Sequence, residues 1–159
     1  MTKKDLIKIF TSHLQEELEA LTAAAKATYE AATHEESKPE NEYDTRGLEA
    51  SYLAGAQAKR VSEIREVLNQ FQTLEFKDLS STDPILSTAL VEVLIDGKKT
   101  TLILMPKGGG VTLRFDGRAV QIVTPNSLLG EAILGAKVGD EIEYEVGSRV
   151  HVCEVLSIK

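Results

Sequence analysis

The sequence predicts an α+β chain, with a helical hairpin first and a small antiparallel sheet carrying one helix after it. Three observations point there. Apolar residues recur at helical spacing from residue 3 to residue 72. From residue 89 onward they alternate with a period of two. Between these halves lies TLEFKDLSSTDPIL (73–86), whose Ser80, Ser81, Asp83 and Pro84 are turn formers.

In the first half, Ile7, Leu14 and Leu21 recur every seven residues, with Leu18, Ala25 and Ala32 in a row beside them. Together they make one apolar stripe of the coiled-coil kind. Pro39 ends whatever helix precedes it, because it lacks an N–H and restricts Lys38. A second stripe follows: Ala50, Ala54, Gln57, Val61, Ile64, Leu68 and Phe71. Asp44 or Thr45 would cap this helix by accepting its free N–H groups. The short connection makes the two helices antiparallel neighbours. Both stripes are graded, with large side chains far from the bend and alanines near it. The hairpin is therefore expected to be slender towards its tip. At ~1.5 Å per residue, a helix of about 30 residues reaches on the order of 45 Å.

In the second half, residues 89–96, 99–106, 111–115, 118–124, 140–146 and 149–158 read as strands. Asp96-Gly97 and Asp116-Gly117 supply tight turns. Ser127 to Leu134 reads as one short helix stopped by Gly135. The expected organisation is a hairpin over 1–75 with its acidic tip near 35–44, a linker over 76–88 and a sheet domain over 89–159.

The chain has 159 residues, 18 basic and 25 acidic, for a formal net charge of -7. It has no run rich in Lys and Arg, so nucleic acid is expected to be met only through a partner. A single cysteine, Cys153, excludes an internal disulfide and sits among strand valines, where an inert core thiol is the expectation. No signal peptide and no apolar run of about 20 residues is visible, so a soluble cytoplasmic protein is expected.

Candidate chemistry is sparse. Lys107-Gly108-Gly109-Gly110 lacks the Gly-Lys-Ser/Thr ending of a phosphate loop and reads as a hairpin connection. His13, His34 and His151 are scattered, and no nucleophile–base signature is local. Arg114, Arg118 and Arg149 read as solubilising strand-face residues. The bend, HEESKPENEYDTRG (34–47), is different. From Glu30 to Asp44 there are six acids against one base, Lys38, a net of -5. One reading is a solvated acidic turn. The other is a carboxylate tip, with Glu40 and its neighbours Glu36, Glu42 and Asp44, that completes a Mg²⁺ site in another protein's cavity. On that reading the chain is an accessory factor and not an enzyme. It binds no cofactor alone, and Glu40 is the shared metal ligand.

Two segments carry a family resemblance. TPNSLLGEAILGAKVGDEIEY (124–144) is similar to the C-terminal signature of the bacterial Gre transcript-cleavage factors, with agreement at Ala132, Leu134, Gly135, Gly139, Asp140 and Ile142. Glu40-Asn41-Glu42-Tyr43 resembles that family's Glu-Asn-Ala-Glu-Tyr, and Glu63-Ile64 resembles a later Glu-Ile of its second helix. The resemblance implies a coiled coil that enters the secondary channel of RNA polymerase and an FKBP-like domain that docks at the channel rim. It also implies stimulated cleavage of backtracked RNA by two tip acids spaced Asp-x-x-Glu that support the polymerase's second Mg²⁺. The second acid falls on Glu40, and the first falls on Ser37, which is no acid. One residue is missing before Glu42, and about four are added between Tyr43 and Glu63, roughly one helical turn.

The alternative within this class is a regulator that occupies the channel without cleaving. From another class, an FKBP-like prolyl isomerase or chaperone would need an aromatic-lined pocket, yet after residue 80 the only aromatics are Phe115 and Tyr144. A third reading is a module that dimerises through its coiled coil. The facing alanine rows favour a monomer instead. Leu128, Leu129 and Ile133 are the docking candidates, with core packing favoured for at least two of them.

Overall fold

The computed structural model describes residues 2–34, 38–40 and 46–159, of which 46–50 are described by backbone alone. Helix α1 is Lys3–Thr33 and α2 is Arg46–Thr73. Strands β1 (Leu90–Ile95), β2 (Lys98–Leu104), β3 (Thr112–Phe115) and β4 (Arg118–Val123) follow. The short α3 (Leu128–Ile133), β5 (Glu141–Val146) and β6 (Arg149–Ile158) complete the chain. The fold is α+β, a helical hairpin followed by a six-stranded sheet and a helix. It divides into two compact units, Thr11–Asn69 and the combination of Met1–Phe10 with Gln70–Lys159.

The helical unit follows the heptad pattern of its sequence. In α1, Leu14 is buried, while Leu18, Leu21, Ala25 and Ala32 are half-buried on the same stripe. In α2, Ala54, Val61, Ile64 and Leu68 are buried and Gln57 is half-buried. The side chain of Ala50 lies outside the described ones. The grading is visible: after Leu14 no described α1 residue is fully buried, whereas Ile64 and Val67 are 0% exposed. Gln57 interrupts the apolar row, and its Oε1 meets no partner among the described residues. Arg60 bridges to Glu17 across the hairpin at 3.5 Å and to Glu63 along α2 at 3.7 Å. These groups are partly exposed, so the pairs add only about 0.5 kcal/mol.

Helix α1 ends at Thr33, ahead of Pro39. Thr33 turns its hydroxyl back to the Tyr29 carbonyl at 3.0 Å. At its start, Thr2 and Asp5 cap each other reciprocally. Asp5 accepts from the Thr2 N–H at 2.9 Å, and its own N–H donates to the Thr2 hydroxyl at 3.1 Å.

The sheet order is β3-β4-β2-β1-β6-β5. β1–β2, β3–β4 and β5–β6 are antiparallel hairpins, and β6 returns to pair antiparallel with β1. Asp96-Gly97 and Asp116-Gly117 make two of the turns with positive φ at both residues, 48° and 80° in the first, 47° and 70° in the second. One pairing departs from the antiparallel expectation: β2 and β4 are parallel, from Thr101↔Val120 to Leu104↔Val123. Lys107–Gly110 is therefore not a hairpin connection. It carries the chain past β4's position to the sheet edge, and β3 then turns back into β4.

One core cluster joins Val91, Val93, Leu102, Leu104, Cys153 and Val155 from the sheet with Ile133 from α3. Ile85 and Ala89, from the stretch before β1, belong to the same cluster. Ile85 is fully buried and exchanges backbone hydrogen bonds with Gly135 and Ala136, both at 2.8 Å. The segment expected as a linker thus packs on the sheet over its last residues. Gln70, at the end of α2, is buried and holds the Lys107 backbone in both directions, donating to its carbonyl at 3.1 Å and accepting its N–H at 2.9 Å.

Candidate functional site

In sequence, the acid-rich segment lies between α1 and α2. Of the proposed tip acids, Glu40 is exposed. Glu36, Glu42 and Asp44 lie outside the described residues, as do Ser37 and the proposed caps Asp44 and Thr45. Among the described residues no three His, Cys, Asp or Glu side chains gather in a way that could hold a metal ion. A single exposed carboxylate is a poor site for Mg²⁺, which shares its ligands with waters and with phosphate-bearing partners. The described residues therefore do not make a metal site by themselves.

The 124–144 segment is built around α3. Ser127 caps it, accepting the Gly130 N–H at 3.1 Å and donating to the Thr124 carbonyl at 2.8 Å. Gly130 is buried so closely that an added Cβ would lie 1.9 Å from the Thr124 carbonyl oxygen. Gly135 and Gly139 have φ of 81° and 91°, which L side chains rarely adopt. Asp140 accepts the Lys137 N–H at 2.8 Å and closes that turn. The matched glycines and aspartate thus have backbone work to do, which explains the pattern by fold. Of the docking candidates, Ile133 is fully buried in the core and Leu129 packs against it, while Leu128 is 56% exposed.

The rest of the sheet unit offers two further groupings. Asp96 accepts the Val152 N–H at 3.0 Å and bonds His151 Nδ1 at 2.5 Å, with the His151 ring stacked on Tyr144. The Val152 N–H, then His151, hold the Asp96 carboxyl below its usual range. No nucleophile is bonded to this pair among the described residues, so it reads as a clamp on the β1–β2 turn. Cys153 is fully buried, and burial pushes its thiol up, so it is an unreactive core residue. The second grouping is a concave site of about 830 Å³ beside β2 and β4, lined by cationic and polar side chains together with Leu6, Leu90, Ala119 and Val120, and by no aromatic one. An aromatic-lined isomerase pocket is not what these residues form. Sequence reasoning treated Arg114 and Arg118 as isolated solubilising residues, and both line this site. Their convergence depends on strand pairing, which residue spacing does not report.

The class that emerges is a helical hairpin followed in sequence by a small mixed sheet with one helix. No protein-family model and no curated protein matches the chain. Among solved structures it is similar to GreA factor homolog 1 (Gfh1) of Thermus thermophilus, at 18% identity over 94% of each chain with a TM-score of 0.39. It is similar to Thermus aquaticus Gfh1 at 19% identity, over 95% of this chain and 92% of that one, with a TM-score of 0.39. A prokaryotic transcription elongation factor GreA/GreB from Nitrosomonas europaea matches at 18% identity over 60% of this chain and 78% of its own, with a TM-score of 0.37. Likeness at this level carries no argument about function. No helix among the described residues is long and apolar enough to cross a membrane.

Proposed function

We propose that this chain is a Gre-like transcription elongation factor, an accessory protein of bacterial RNA polymerase in the cytoplasm. On this reading it acts as a monomer, its hairpin enters the polymerase's secondary channel, and its FKBP-like sheet domain, residues 89–159, docks at the rim with Leu128 at the surface. One observation carries the reading: two long helices with a graded apolar stripe hold the acid-rich bend between them, on a chain whose 124–144 segment resembles the Gre signature. Reach and charge are what a channel-entering factor needs. A net charge of -7 suits a factor that meets nucleic acid only through its partner.

The chain's own contribution is to place Glu40 at the bend, with Glu36, Glu42 and Asp44 near it in sequence. The metal is the polymerase's Mg²⁺, which when bound activates water and stabilises the leaving oxygen. Ser37, at the place of the family's first acid, favours a second reading: the hairpin fills the channel and regulates without cleaving. The test is RNA cleavage in backtracked polymerase complexes with the wild-type protein and Glu40→Ala. Cleavage that the variant loses supports the metal-supporting tip. No cleavage, with protection against a known cleavage factor, supports the occupying regulator. Neither effect returns the bend to a solvated turn.

A further inference from the structure

The concave site of the sheet unit has a charge opposite to that of the whole chain. Six cations line it (Lys3, Lys98, Lys99, Arg114, Arg118 and Lys159) against a single acid, Glu92. Six of the chain's 18 basic residues thus converge in one place, in a protein with 25 acids. Glu92 is already engaged by Lys99 at 3.2 Å and by the Ser157 hydroxyl at 3.3 Å. Lys3 is buried and donates to the Lys77 and Lys159 carbonyls at 2.6 and 2.9 Å. Lys98, Arg114 and Arg118 have no carboxylate partner among the described residues. A chain so rich in acids leaves these three cations unanswered in a cleft.

The backbone sharpens the identity of the occupant. The parallel ladder of β2 and β4 begins only at Thr101↔Val120. Lys98–Thr100 and Arg118–Ala119 come before it, each paired on its outer edge, to β1 and to β3, and neither paired across the gap. The facing edges of these two strand ends thus carry main-chain groups outside any strand ladder. Side chains alternate along each strand, and the register Arg114↔Ala119 and Phe115↔Arg118 puts Arg114 and Arg118 on opposite faces. Positive charge therefore flanks the gap above and below. Unpaired strand edges are matched by the backbone of an extended peptide, and the cations by its carboxylates. Nucleic acid fits less well. The lining has no aromatic platform for bases.

We propose that the cleft at the unpaired ends of β2 and β4 docks an extended, acidic segment of a partner protein. The peptide's carboxylates meet Lys98, Arg114 and Arg118, and its main chain meets the open edges at 98–100 and 118–119. This inference does not depend on the polymerase reading, because it concerns only the sheet unit.

The test is fluorescence anisotropy of the full chain with a short labelled peptide of alternating Glu and Thr. The controls are a Lys-Thr peptide and a short single-stranded RNA. The proposal expects the acidic peptide to bind, to weaken with rising salt, and to bind roughly tenfold more weakly to an Arg114→Ser/Arg118→Ser variant of unchanged circular dichroism. Should that variant misfold, amide shifts of the wild-type protein replace it, with peptide-induced changes expected at residues 98–101 and 118–119. Absent binding, binding unaffected by the variant, or shifts confined elsewhere would overturn the proposal. Tighter binding of the RNA at the same residues would overturn it in favour of a phosphate backbone. Self-association that the peptide displaces would overturn the partner assignment in favour of a second copy.

Discussion

The helical unit and the sheet unit are stabilised in different ways. The hairpin holds together along one stripe, densely buried near Leu14, Ile64 and Val67 and only half-buried further along at Leu21, Ala25 and Ala32. The sheet unit is closed by residues far apart in sequence. Ile85, Leu102, Ile133 and Cys153 meet in one cluster, and backbone positions such as Gly130 have no room to change. The first arrangement gives reach at the expense of core. The second gives a rigid surface.

Gly130→Ala should give the largest effect. Its Cβ would overlap the Thr124 carbonyl, which is main chain and also accepts from Ser127. We expect a loss of about 3 kcal/mol or more, read as a drop in thermal midpoint on the order of 10 °C. A drop of only a degree or two would mean that this turn is soft. Within the hairpin, Ile64→Ala should cost about 3 kcal/mol and Leu21→Ala about 1 kcal/mol, following their burial. Equal losses in urea titration would break the grading.

Gln70→Ala removes the only side chain that satisfies both Lys107 backbone groups within the described hydrogen bonds, at an expected cost of about 2 kcal/mol. A smaller effect belongs to acid. The Asp96 carboxyl titrates lower in the folded chain than in the unfolded one, where it is about 3.9. Its contribution is therefore complete above the unfolded value and is lost as pH falls through the folded value. Asp96→Asn should flatten the acid limb of a stability–pH curve by lowering stability at neutral pH, while the variant and the wild type converge in acid. Least of all, Arg60→Ala should shift stability by no more than about 0.5 kcal/mol, because its pairs with Glu17 and Glu63 are partly exposed.

Much of the fold was legible. The alternation in 89–96 and 149–158 and the Asp-Gly turns located the strands, because period and turn chemistry are local properties. The heptad rows found the buried stripes for the same reason. Strand direction was not legible. An alternating strand looks the same whether it joins a parallel or an antiparallel neighbour, and three glycines after Lys107 suggested a hairpin where the chain crosses to the edge. That error also hid the cationic cleft, since Arg118 lies near Lys98 and Lys99 only when β4 runs parallel to β2. The tip was legible as charge alone. Glu40 is exposed, and the geometry of a carboxylate cluster depends on residues outside those described.

The most direct test of the central claim is binding of the full chain to purified bacterial RNA polymerase core, followed by competition with a known cleavage factor. The account predicts a saturable complex that the cleavage factor displaces, because both use the same channel. Failure to bind the polymerase, or binding that the cleavage factor leaves untouched, would contradict it.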